Sequence, residues 1–111
     1  MNVTINALHC SIPDSLRTTA SQRMERLTRF HPRVADAQVT FDRSGAGPEV
    51  EARLAIPGID PLVARAEAAS FDAALDRAAD RLERQLKRTR ERRVSRALRR
   101  RRAAATPELE A

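Results

Sequence analysis

The apolar residues of this 111-residue chain repeat first at every second position, then at every third or fourth. They return to every second position and end on the helical spacing again. That order restricts the fold more than any single motif. "NVTINAL" puts Val3, Ile5 and Ala7 on one side and Thr4 and Asn6 on the other, the pattern of a half-buried strand. In "SIPDSLRTTASQRMERLTRF" Leu16, Ala20, Met24 and Leu27 recur at helical spacing. Pro13 suits a first helical position after a Ser11–Ile12 lead-in, and Asp14 suits the positive end of the helix dipole. "HPR" ends the helix, because a residue before proline is pushed out of helical geometry.

Alternation resumes in "DAQVTFD" through Ala37, Val39 and Phe41, breaks at the turn "RSGAGP", and continues in "EVEARLAI" through Val50, Ala52, Leu54 and Ile56. After "PGIDP", "LVARAEA" reads as a fourth strand with Leu62, Ala64 and Ala66 on one face. Ser70 is an N-cap, Asp72 supports the first turn, and the helical period runs from Phe71 at least to Arg93. The expected fold is α+β in the order β-α-β-β-β-α. The last three strands form an antiparallel meander, and both helices cover one face of a four-stranded sheet. Residues 1–93 form the domain; residues 94–111 are a basic extension, either more helix or a disordered segment.

Three Phe and no Trp or Tyr leave little for gripping single-stranded bases by stacking. A lone Cys10 cannot close an internal disulfide, no apolar run reaches membrane-spanning length, and "MNVTINALHC" lacks the pattern of a signal peptide. The expected location is the cytoplasm.

Charge is unevenly placed. Residues 1–69 carry eight Arg and eight Asp or Glu, so the whole net charge of +6 lies in residues 70–111. Between Arg84 and Arg102 eleven cations face a single acid, Glu91. Such a block suits an anionic partner, most often nucleic acid; the competing reading is a solvated or disordered tail.

At about 100° per residue from Arg77, the residues Phe71, Ala74, Leu75, Ala78, Leu82 and Leu86 fall between about 60° and 180°, a stripe for the core. Arg77, Arg81, Arg84 and Arg88 lie within about 40° of zero and Arg92 near 60°, while Asp72, Asp76, Asp80 and Glu83 lie between about 220° and 300°. Like charges at i,i+4 repel locally, a cost that a polyanion laid on the basic stripe would reverse. The first helix has a smaller set, Arg23, Arg26 and Arg29, on one flank; side-by-side helices could bring the two sets to one cleft. Their competing reading is arginines that lay their stems over apolar surface.

Catalytic and metal-binding signatures are absent. His9–Cys10 has no second ligand pair, no phosphate loop or nucleophile motif occurs, and Ser11 and Ser70 sit at helix starts. Neither an enzyme nor a cofactor is expected.

"SIPDSLRTTASQRMERLTRF", then "VTF", "LAIPG" and "FDAALDRAADRLERQLKRTRERR", resemble the ribosome hibernation-promoting factors, also called ribosome-associated inhibitors or the sigma-modulation protein family. The sharpest part is the A-x-D…D-[KR]-L-E-R-Q-L-K pattern from Ala74 to Lys87. The resemblance implies a fold similar to double-stranded-RNA-binding domains and binding to ribosomal RNA of the small subunit at the decoding channel. There messenger and transfer RNA would be blocked under stress. It also implies RNA contacts at Arg23, Arg26, Arg29, Arg81, Arg84, Arg88 and Arg92. Where the family has Asp-x-Tyr before the second helix, this chain has Ser70-Phe71-Asp72, which leaves the Tyr contact in doubt while Phe71 keeps an apolar anchor. A short form is implied, monomeric when free, acting alone or with a separate ribosome modulation factor. Two rivals share the basic stripe: a DNA- or nucleoid-binding protein, and a protein adaptor that uses Val94 and Leu98 as a helix seam.

Overall fold

The structure is a computed structural model that describes residues 2–29, 31, 33–45 and 47–89. Its elements are β1 (Asn2–Leu8), α1 (Asp14–Arg29), β2 (Asp36–Ser44), β3 (Gly47–Ala55) and β4 (Leu62–Glu67), followed by α2, helical over 71–89. The expected order β-α-β-β-β-α and the α+β class are therefore observed. The expected continuation of α2 to Arg93 and the extension 94–111 lie outside the described residues.

The strands stand in the order β1-β2-β3-β4. β1 runs parallel to β2, from Asn2 opposite Asp36 to Leu8 opposite Asp42. A parallel neighbour needs a crossover connection, and α1 supplies it. β2, β3 and β4 form the antiparallel meander. The β2–β3 hairpin closes at Ser44 opposite Gly47, whose φ of 115° favours glycine. The β3–β4 turn has Pro57 followed by Gly58 at φ 86°, and the Ile59 amide donates to the Ile56 carbonyl at 3.3 Å. Pro then Gly with positive φ is the sequence a type II turn requires.

α1 begins one residue later than its sequence suggests. The Pro13 carbonyl accepts from the amides of Leu16 and Arg17, so Pro13 caps the helix instead of opening it. Ser70 caps α2, its hydroxyl accepting from the Ala73 amide at 3.2 Å. Both helices bury their apolar stripes against one face of the sheet. Met24 of α1, Phe41 of β2, Leu54 of β3 and Leu75, Leu82 and Leu86 of α2 are among the largest fully buried side chains of a single core. The α2 stripe is wider than its large residues indicate, because Ala79 is also fully buried.

One further contact sets the position of α2. Arg77, Arg81 and Gln85 donate side-chain hydrogen bonds to the carbonyls of Glu67, Arg65 and Val63, at 3.0 Å for the first and 2.8 Å for the last. β4 is an edge strand, and every second carbonyl on its outer side lacks a strand partner. Four helical residues rise about 6 Å and two strand residues about 6.6 Å, so an i+4 row on an antiparallel helix keeps pace with alternate edge carbonyls. At the other edge, the Arg17 guanidinium donates to the Ile5 carbonyl at 3.3 Å.

Gln85→Ala should lower stability by about 0.5–1.5 kcal/mol and speed amide exchange at Ala64 and Ala66. Leu82→Ala, which empties a fully buried site in the core, should cost about 2–5 kcal/mol. Urea unfolding with an unchanged slope checks both. A Gln85→Ala protein with unaltered exchange on β4 would show that the clamp contributes nothing.

Candidate nucleic-acid interface

The cations of α2 divide into two kinds. Arg77 and Arg81 lean over the outer edge of β4 and bond its backbone. Arg84 and Arg88 are exposed and make no hydrogen bond or ion pair to another described residue. Arg81 therefore has a positioning role as well as a place on the basic stripe, and Arg84 and Arg88 are its accessible charges. Arg92 lies outside the described residues.

The opposite flank of α2 faces α1. Arg23 of α1 reaches Asp80 of α2 at 3.3 Å, with 29% of the Arg23 side chain and 61% of the Asp80 side chain exposed. Glu83 on the same flank is half-buried and pairs along the helix with Lys87 at 3.7 Å. The acidic flank thus lies on the side of α2 that meets α1, and one partly exposed ion pair, Arg23–Asp80, links the helices there. Arg26 and Arg29, further round α1, are exposed and have no ion pair or hydrogen bond among the described residues. Of the seven residues implied by resemblance, Arg26, Arg29, Arg84 and Arg88 are free to meet an external anion, while Arg23 and Arg81 also hold the fold.

Arg17, Arg77 and Gln85 were not singled out as positioning residues by the sequence. The i, i+4, i+8 spacing of Arg77, Arg81 and Gln85 is a usable signal once β4 is known to be an edge. Phe71 keeps its apolar anchor, its ring edge-on to Phe41 at 5.7 Å between centroids, with the Arg43 guanidinium 5.9 Å over its face.

The chemistry available to this surface is charge and hydrogen bonding. Guanidinium groups present fork-like donors that match phosphate oxygens, and four exposed ones on two helices suit a folded anion better than a small ligand. Among the described residues no group of His, Cys, Asp or Glu is arranged to hold a metal ion, and no helix is long and apolar enough to cross a membrane.

Comparison with known structures supports this architecture. A ribosomal subunit interface protein from Coxiella burnetii superposes with a TM-score of 0.75 at 20% identity, over 82% of this chain and 99% of the other. The N-terminal domain of Protein Y from Thermus thermophilus superposes with a TM-score of 0.71 at 31% identity, over 80% of this chain and 99% of the other. Among curated proteins, no relative matches the chain. Residues 3–94 match the family model for sigma 54 modulation protein / S30EA ribosomal protein. With this match covering β1 through α2, the chain belongs to the sigma 54 modulation protein / S30EA ribosomal protein family.

Proposed function

We propose that the protein is a ribosome-binding translation inhibitor, cytoplasmic and non-enzymatic. It would hold ribosomal RNA of the small subunit at the decoding channel and block messenger and transfer RNA under stress. Family membership supports the ribosome as partner, as do the names of the two similar structures. The observation that carries the RNA reading is the set Arg26, Arg29, Arg84 and Arg88, exposed and not neutralised by any described acid. Affinity in this reading comes from guanidinium–phosphate contacts matched to a folded RNA shape, with little base readout. The basic extension adds further attraction through Arg92 and the cations that follow it. Whether it acts with a separate ribosome modulation factor is decided by whether ribosomes pair in its presence.

Sucrose-gradient sedimentation of stationary-phase lysates, with and without the gene, tests the proposal directly. The protein should travel with small subunits. Free migration, or migration with DNA, would overturn the ribosomal reading in favour of an adaptor or a nucleoid protein.

Arg84→Glu combined with Arg88→Glu should leave the fold intact and weaken small-subunit binding by at least a factor of about 100, since each lost charge-assisted contact is worth roughly 1.5–3 kcal/mol. Arg81→Ala should reduce both affinity and thermal stability. Asp76→Lys with Glu83→Lys should not weaken binding. Unchanged binding by the folded Arg84/Arg88 double variant would remove this surface from the account.

Affinity should also fall steeply with salt. At roughly 0.7–0.9 per phosphate contact, about six contacts give a slope near four to five in log K against log salt. A slope of about one would point to a protein partner.

A further inference from the structure

The two helices run in the same direction. α1 carries the chain back from the end of β1 to the start of β2, which is parallel to β1. β4 points the same way as β2, because each is antiparallel to β3. α2 runs against β4, its residues Arg77, Arg81 and Gln85 meeting the carbonyls of Glu67, Arg65 and Val63 in turn. The helices are also level: Arg23 and Asp80, which pair, each lie nine residues past the first residue of their helix. Both helices therefore head for one end of the domain, where β2 and β4 begin and β3 finishes.

The free arginines gather at that end. Beyond the Arg23–Asp80 pair, Arg26 and Arg29 lie about 4.5 and 9 Å further along α1, and Arg84 and Arg88 about 6 and 12 Å further along α2. No other arginine in the described helices is free of a bond to a described residue. Two more join them from outside the helices. Arg33 lies in the connection from α1 to β2, and Arg53 lies near the end of β3, between the buried Ala52 and Leu54 and so on the open side of the sheet. Both are exposed, and neither bonds another described residue. The Ala35 amide donates to the Ala55 carbonyl at 2.9 Å, so each of the two arginines is two residues from one backbone contact. Glu25, Asp36 and Asp60, exposed acids of the same half, bond none of the six.

The opposite end has the other sign. Asp14 and Asp72 lie in the first turns of the helices, and Asp42, Glu49 and Glu67 form a row across β2, β3 and β4. Acids at helix starts and cations at helix ends suit the helix dipoles. That explains Asp14, Asp72, Arg29 and Arg88, but not Arg33 and Arg53, which belong to no helix. Broadside contact along α2 would also press Asp72 and Asp76 toward phosphate, whereas contact at the basic end keeps them away.

We propose that the protein meets RNA end-on, with Arg33 and Arg53 as phosphate contacts that carry the basic surface from the helix layer round to the open side of the sheet. This rests on the ribosomal RNA reading above and gives it a direction. The partner is a ridge of RNA backbone met where the helices finish, and the β2–β3 hairpin points away from it. Guanidinium forks arrayed around one end suit phosphates of more than one backbone segment.

Arg33→Gln with Arg53→Gln, in the full chain, should weaken small-subunit binding by at least a factor of about ten. The slope of log K against log salt should fall by roughly 1.4–1.8, two contacts at about 0.7–0.9 each. Thermal stability should hold, since neither side chain bonds another. Arg17→Gln with Arg43→Gln removes the same charge from the opposite end and should change affinity by less than a factor of about two, long-range attraction being screened. Equal losses in the two double variants, or unchanged binding without Arg33 and Arg53, would overturn the proposal. If the parent chain fails to bind small subunits, the ribosomal reading falls, and the end-on surface is judged by titrating a structured RNA hairpin into the isotope-labelled full chain at low salt. Amide shifts should gather at Val34, Arg53 and Arg88 and leave Asp42, Glu67 and Asp72 unmoved. Shifts spread along the whole of both helices, or centred on the β2–β3 hairpin, would refute end-on contact.

Discussion

The row of side chains from α2 to the edge of β4 is the interaction on which the arrangement of this domain turns. An edge strand must have its outer carbonyls met by water or by another chain, and a bare edge invites pairing with a neighbour. Arg77, Arg81 and Gln85 meet three of them from within the molecule. They also fix the rotation of α2 about its own axis. With that rotation set, Leu75, Leu82 and Leu86 point into the core, and the acidic flank turns toward α1. Arg84 is left on the outer crest. The direction of the exposed charges is therefore tied to a backbone contact made by neighbouring residues of the same helix.

Charge in this protein is sorted by surface. Asp80 and Arg23 join in the seam between helices, free guanidinium groups lie on the outer faces of α1 and α2, and the carboxylates of β2, β3 and β4 gather behind the sheet. The domain is accordingly polarised from one layer to the other. A field of that kind orients the molecule as it approaches a polyanion, so that the helices arrive first and encounters through the sheet are repelled.

Most of the architecture is legible in the spacing of apolar residues. β1 matches its seven-residue pattern, and β4 keeps Ala64 and Ala66 buried despite their modest strand preference, because the sheet face there needs small side chains beneath α2. Less legible is what depends on neighbours. Ala79 does not stand out as core by its size, yet it is completely buried. The double role of Arg81 has no local signature, since its acceptor is a main-chain carbonyl whose availability depends on β4 being an edge. That Arg23 pairs with Asp80 across the helices follows from which helix flank faces which neighbour, a property of packing. Charge clustering alone correctly marks Arg84 and Arg88 as accessible, but it cannot distinguish them from Arg77.

The parallel pairing of β1 with β2 has a consequence for how the chain is made. β2, β3, β4 and α2 are joined by short turns and can assemble in sequence as they emerge from synthesis. β1 comes first but has no partner until residues 36–42 exist, and its ladder closes across the whole of α1. Contacts of long sequence separation form late, after the loop between them has lost its freedom. The first strand synthesised therefore waits through the whole of α1 for its partner. Until β1 is seated, Val3 and Ile5 remain uncovered and the Ala37 edge of the meander stays open, and an open edge of that kind invites pairing with another chain.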